Sequence, residues 1–274
     1  MKTRPNFLKS KSLVMLVWIL GIIVIWEIGA FIVAGTKRTP ENVLPHIYQI
    51  IGAIFGTNQV SSGMTASQLV LTAAKATLLR AGLGFLIGAG LGFILALAMK
   101  FSGVVEKMIF PYLMLIQMIP ILGMAPIVLA VTKDIGVSRI VIAAILTFYP
   151  VATSTLSGLN SVSKEKYELM YSYAANKATI YKKVLIPTCI PYLFTGLKIS
   201  APMAITASIL VDTLQGDMGL GSMLSQSLKH AMSIYVFWLI VLFSAVVGIV
   251  SSFLMSVIEG YVSPQKRAER KYKQ

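Results

Sequence analysis

The residues able to do chemistry are few and scattered. Glu27, Lys198 and Asp212 stand within or at the edge of long apolar runs. A charge in a lipid-crossing run faces a cavity or a partner, because leaving it alone costs about 2.5–3.5 kcal/mol even on insertion scales. Glu27 and Asp212 are therefore candidates for lining a solute pathway, with a structural or interface role as the competing reading. Lys198, near the inner end of its run, can extend its ammonium toward headgroups. Gln117 and Met118, beside Pro120 in a charge-free run, are two further pathway candidates, set against ordinary helix packing. His46 and His230 are distant from each other and from any Cys or carboxylate cluster, so no metal site is expected. The single cysteine, Cys189, excludes an intrachain disulfide. No nucleophile, base and orienting group cluster together. No G-x-x-x-x-G-K-[ST] phosphate loop occurs. The chain is expected neither to be an enzyme nor to carry a cofactor.

What must position these residues is a bilayer. Of 274 residues, 56% are hydrophobic and 12% charged, and the mean hydropathy is +0.79. Soluble domains carry about 25% charged residues, and a soluble core could not hide this much apolar surface. The net charge of +14 sits in short clusters between apolar runs. That is the mark of cytoplasmic loops, and it argues against a nucleic-acid partner. Lipid is the expected surrounding.

The fold class expected is all-α integral membrane with about six transmembrane helices. A span needs about 20 mostly apolar residues. Six runs qualify: 13–33, 81–99, 108–132, 140–159, 192–210 and 234–258. They are continuously apolar without period-two alternation, which selects helices over barrel strands. Together they make one transmembrane domain over 13–263, with a cytoplasmic N-terminus of 1–12 and a basic tail of 264–274. The first run resembles a signal peptide, but its length and the lack of a small-residue cleavage site point to a retained helix. With the N-terminus inside, inner segments hold 17 Lys and Arg and outer segments 7. The excess puts both termini in the cytoplasm. Pro111, Pro120, Pro126, Pro150 and Pro202 are expected to kink their spans.

Residues 45–55 read as a short amphipathic helix at the outer interface, and 68–80 as a helix leading into the second span. Gly84, Gly88 and Gly92, four apart, form a face on which another helix can approach closely. Asp217 to Gly221 reads as an outer turn.

The longest inner segment, 160–191, lies between the fourth and fifth spans. Tyr167–Ala175 has helical propensity and no breaker. Ala178–Leu185 reads as a second short helix ended by Pro187. Such a pair of helices on the cytoplasmic face is something a partner protein could grip.

Here the sequence resembles the permeases of binding-protein-dependent ABC importers, which share a cytoplasmic signature of Glu-Ala-Ala, a Gly and a hydrophobic-Pro pair. Glu168 matches the Glu, and Ile186-Pro187 match the end at the family's spacing. Leu169 and Met170 replace the alanines, and Ala174 replaces the glycine, keeping that position small. Around the motif, Trp26-Glu27, Arg80, Pro120, Ala125-Pro126, Phe148-Tyr149-Pro150, Ser157-Gly158-Leu159, Pro191-Tyr192, Gly196-Leu197-Lys198 and Gly219-Leu220-Gly221 are similar to the nitrate/sulfonate/taurine branch. That branch includes thiamine-precursor permeases.

The resemblance implies a type I permease in the cell membrane. Two permease copies would form the pore, and two copies of a separate ABC ATP-binding subunit would carry ATP and Mg. A coupling helix would dock the ATPase through Glu168, Leu169, Met170, Ala174, Ala175, Ile186 and Pro187. An extracytoplasmic binding protein would deliver the substrate, with the turn near Gly219 a candidate contact. Few basic residues lie within the spans, which favours a small organic nutrient over a nitrate-type anion. The rival classes are an ATP-independent secondary carrier, which more often shows two similar halves with broken helices, and a membrane-embedded enzyme, which needs the clustered groups missing above.

Overall fold

The computed structural model describes residues 11–56, 59–61, 63–215, 218–229, 234–264 and 267. His230, Asp217, most of the basic N-terminus and most of the tail lie outside the described residues. The chain divides into two compact units, Met1–Leu71 with Gln226–Ile240 and Thr72–Ser225 with Val241–Gln274. Each division falls inside a helix.

In the first unit, helix α1 (Lys11–Thr36) is apolar on every side. Trp18, Ile25 and Phe31 are each about 70% exposed, as expected of a helix whose solvent is lipid. A short 3-10 turn (Pro40–Asn42) leads to α2 (Ile47–Phe55). His46 is its N-cap, and the side chain of Gln49 accepts from the His46 backbone N–H at 2.9 Å, a reciprocal cap that satisfies donors the first helical turn leaves open. Strands β1 (Gln59–Ser61) and β2 (Met64–Thr65) pair antiparallel, with Gln59 opposite Thr65 and Ser61 opposite Met64. Helix α3 (Ala66–Phe101) follows, including the segment 68–80.

The second unit is built around α6 (Ile135–Asn160), and its close neighbours are admitted by glycines. A Cβ at Gly84 would lie 2.5 Å from Ala143 Cβ, one at Gly92 would lie 2.7 Å from the Phe148 carbonyl, and one at Gly88 would overlap the Ala144 carbonyl. The three glycines thus seat α3 directly on the α6 backbone. On another side α6 meets α9 (Ile186–Gln215). There a Cβ at Gly196 would lie 2.7 Å from the Pro150 carbonyl, and one at Gly158 would lie 2.6 Å from Tyr192 Cβ. Where lipid removes the hydrophobic drive for association, such close backbone contact supplies it through dispersion. One buried cluster joins Met99, Leu113, Leu156, Leu159, Ile180 and Leu185, and a second joins Ala125, Ile142, Ala204 and Val211.

Two expectations are corrected. The run 108–132 is not one kinked helix. It is α4 (Gly103–Met118) and α5 (Ile121–Thr132), set at 109°. Proline disfavours helical geometry in the residue before it, and Ile119 and Pro120 are both extended, with ψ 125. Two successive extended residues end a helix where a single proline inside it, such as Pro111 or Pro150, is absorbed. Among the described residues, five helices are long and apolar enough to cross a membrane, or six if this bent pair counts as one span.

Nor does Pro187 end a helix. After α7 (Lys164–Ser172) and α8 (Lys177–Ile180), the chain widens into a π turn (Tyr181–Leu185) and continues as α9. The wider turn accommodates a proline ring that would otherwise clash with the carbonyl four residues back. The non-helical part of the segment 160–191 is correspondingly short. Helices α10 (Leu220–Leu228) and α11 (Ile234–Val262) are the last of the described elements.

Candidate functional site

The segment between α6 and α9 is built from local signals. Ser163 is the N-cap of α7, and Glu165 lies in its first turn, where a carboxylate favours the helix dipole. Hydrogen bonds from its own backbone N–H and from the Ser163 side chain hold the Glu165 carboxyl below the usual carboxylate range. At the other end the Ala174 N–H donates to the Tyr171 carbonyl at 2.9 Å, and the Ala175 N–H donates to Met170 at 3.0 Å. This pair of bonds closes a helix through a left-handed residue, and Ala174 has φ 50. Sequence reasoning valued Ala174 for its smallness. The backbone gives another reason for glycine to suit that position: only glycine adopts φ > 0 without steric cost. Asn176 then caps α8, its Oδ1 accepting from Thr179 N–H at 2.8 Å.

One side of this segment is fixed to the helix core. Ile180 and Leu185 are buried there, and Tyr167, Met170 and Ala175 pack against the same cluster. The other side is open. Glu168 and Ala174 are exposed, and Leu169, Tyr171 and Tyr173 are 55%, 64% and 75% exposed. Ile186 and Pro187 are half-buried at the start of α9. An anchored element that turns aromatic and apolar groups outward has the character of a protein contact.

The pathway candidates occupy three different settings. Asp212 is completely buried. It pairs with Arg139 of α6 and accepts from the Thr77 hydroxyl at 2.9 Å. Thr77 Oγ1 in turn accepts from the Leu220 N–H at 3.0 Å. A Cβ at Gly219, whose φ is +143, would overlap the Asp212 carboxylate. The group therefore clamps α3, α6 and α9 to the start of α10. Glu27 lies in the first unit. It accepts from Ile47 N–H at 2.8 Å and meets His46 Nδ1 at 2.7 Å, while Trp26 Nε1 donates to the Pro45 carbonyl at 3.0 Å. Glu27 thus fastens the start of α2 to α1. Gln117 and Met118 are exposed on the last turn of α4, at the break. Beside them, a cavity of about 410 Å³ opens between α3, the break and α6. It is lined by apolar side chains, among them Ile87, Leu91, Ile119, Met124, Ile145 and Phe148.

Lys198 does not rely on headgroups alone, since its Nζ lies 2.5 Å from Glu259 of α11. Sequence reasoning missed the three partners. Arg139 lies one residue ahead of the expected span 140–159, yet it is 3% exposed on α6. His46 was considered only as a metal ligand, and Glu259 lies one residue past the expected last span. The available signal was the rule that an intramembrane charge requires a partner. Among the described residues no group of His, Cys, Asp and Glu could hold a metal ion.

Comparison with known proteins completes the picture. Residues 88–267 match the family of binding-protein-dependent transport system inner membrane components. The chain is 27% identical to the formylaminopyrimidine transport permease protein of Halalkalibacterium halodurans, over 74% of this chain and 76% of that one. It is 26% identical to the putative aliphatic sulfonates transport permease protein of Bacillus subtilis, over 85% and 80%. It is 24% identical to the nitrate import permease protein of Synechococcus elongatus, over 72% and 70%. Its fold is similar to that of an amino acid ABC transporter with histidines, at TM-score 0.60 and 21% identity, covering 72% of this chain and 95% of that one. It is also similar to the inward-facing MetNI methionine ABC transporter, at TM-score 0.57 and 18% identity, over 71% and 96%. The family match spans most of the chain and includes the whole of α6–α9, so the chain belongs to the binding-protein-dependent transport system inner membrane components, as a multi-pass permease subunit of an ABC importer.

Proposed function

We propose that two copies of this chain form the translocation pathway of an ATP-driven importer in the cytoplasmic membrane, with both termini inside. The observation that carries this reading is the open face of α7, where Leu169, Tyr171 and Tyr173 project while Ile180 and Leu185 hold the segment to the core. An ATP-binding subunit gripping that face pushes directly on α9. ATP and Mg belong to that partner, and this chain carries no cofactor. An extracytoplasmic binding protein hands over the substrate.

The substrate is a small organic nutrient of the sulfonate, taurine or thiamine-precursor kind. Two observations support this over a nitrate-type anion. The cavity beside the α4–α5 break is lined by apolar side chains, and Arg139 and Lys198 are each engaged by a carboxylate. The test of the assembly is copurification from membranes in mild detergent. A stoichiometric ATPase is expected with the native chain and is expected to be lost in Leu169→Asp/Tyr173→Ala, whose exposed positions leave folding nearly unchanged. A clean permease without any ATPase refutes the reading and favours a secondary carrier. Binding-protein-dependent nitrate uptake by the complex refutes the substrate class.

A further inference from the structure

We infer that the α4–α5 break is a wet face of the translocation pathway, and that the apolar cavity beside it is where the solute's apolar body passes. The inference rests on the importer reading above and locates the pathway within it.

The first turns of α4 hold Glu106 and Lys107, and the apolar part beyond them runs from Met108 to Met118. At about 1.5 Å per residue that part climbs roughly 16 Å, about half of a ~30 Å hydrocarbon core. The break therefore falls deep in the membrane. The Ile119 N–H reaches the Ile116 carbonyl at 3.4 Å and the Gly123 N–H reaches the Pro120 carbonyl at 3.0 Å, but the remaining last carbonyls of α4 and first N–H groups of α5 lack a helical partner. Lipid cannot satisfy them, so backbone of this kind survives at that depth only buried in protein or beside water. This chain does not bury it. Met118 and Ile119 are 78% and 46% exposed, and Gln117 and Pro120 are exposed as well.

The surface next to the break favours water and solute over a helix of a second copy. It is concave, about 410 Å³, and shaped by Ile, Leu, Met and Phe. Close helix pairing in lipid uses small residues, as at Gly84, Gly88 and Gly92. Pockets of several hundred Å³ with apolar walls and a few polar groups at one edge suit ring-sized organic ligands. Here the walls are wholly apolar, which suits an apolar ring or chain rather than an ion.

The native chain suits the test, because its one cysteine, Cys189, is buried. Single cysteines are placed at Ile119 and Met124, with Ile25→Cys and Ile249→Cys as exposed apolar controls on α1 and α11. Membrane vesicles holding the full complex are treated with a cationic methanethiosulfonate, with and without vanadate trapping of ATP. Cysteines at 119 and 124 are expected to react on the order of fiftyfold faster than the controls, reflecting the penalty for a cation in lipid, and the rate is expected to change on trapping. Reaction only with a lipid-soluble maleimide overturns the inference in favour of a lipid face. Reaction with neither reagent overturns it in favour of a packed interface. A cationic reaction indifferent to trapping overturns it in favour of a static crevice. ATPase copurified from the same vesicles reports separately on the importer reading.

Discussion

Ala174 offers a direct test of why the turn after α7 is built as it is. An L-residue in the left-handed region costs about 1–2 kcal/mol. Glycine avoids that cost but loses roughly 0.5–1 kcal/mol more backbone entropy when ordered. The balance favours Ala174→Gly by about 0.5–1 kcal/mol, or roughly a two- to fivefold larger closed population of the turn. Ala174→Val acts oppositely, because a β-branched residue at positive φ is a severe outlier. Ala174→Asn separates backbone from bulk: asparagine tolerates the left-handed region yet is larger than alanine. The assay is amide hydrogen exchange of the peptide covering 167–180, in the protein reconstituted in lipid, with ATPase copurification measured in parallel. The Ala174 and Ala175 amides, which donate to Tyr171 and Met170, are expected to exchange about two- to fivefold more slowly in the Gly variant, no faster than native in Asn, and fastest in Val. Equal protection in Val and native protein, or no slowing in Gly, refutes the backbone argument. An Asn variant with an intact turn but no bound ATPase shows that the partner also needs a small side chain.

Three further predictions concern packing and charge. Removing either Arg139 or Asp212 leaves its partner's charge buried, so Arg139→Met or Asp212→Ala alone is expected to destabilise by about 3–5 kcal/mol. The double variant is expected to recover much of that loss, read as the midpoint of heat-induced aggregation in detergent; purely additive losses contradict the pairing. Gly88→Ala is expected to destabilise by about 1–3 kcal/mol through overpacking on Ala144. Gly90→Ala, where a Cβ meets nothing within 4 Å, is expected to be neutral or slightly stabilising, and equal behaviour of the two would refute the packed face. Glu165 has a folded-state pKa below its usual 4.5. Its contribution to α7 is therefore fully present above that value and fades only as pH falls through the lower, folded-state one. Exchange at the start of α7, corrected for intrinsic rate, is expected to stay flat from neutrality down to the ordinary carboxylate range, with Glu165→Gln abolishing any loosening below it.

The amino-acid sequence by itself determined what depends on neighbouring residues. The length of an apolar run decides whether it can cross lipid, so the helices at 11–36, 135–160 and 234–262 were legible within a few residues of their ends. The glycine row at 84, 88 and 92 showed which side of α3 could be approached, because helical spacing fixes a face. The spacing from Glu168 to Pro187 marked the segment between α6 and α9.

The tertiary structure decided what depends on relative height and rotation of distant helices. Thr77 and Asp212 lie 135 positions apart, and Lys198 and Glu259 lie 61 apart. No local pattern says that their side chains reach one level and face each other. The sequence marked Glu27, Lys198 and Asp212 as charges needing partners but could not choose His46, Glu259 and Arg139. Proline is equally ambiguous. Pro150 sits inside a continuous α6, whereas Pro120 stands at a 109° break. The difference lies in whether the preceding residue stays helical, which the surrounding packing settles. Ala174 is the reverse case. Its identity suggested only a small side chain, and the left-handed backbone beneath it became visible once the hydrogen bonds closing α7 were in place.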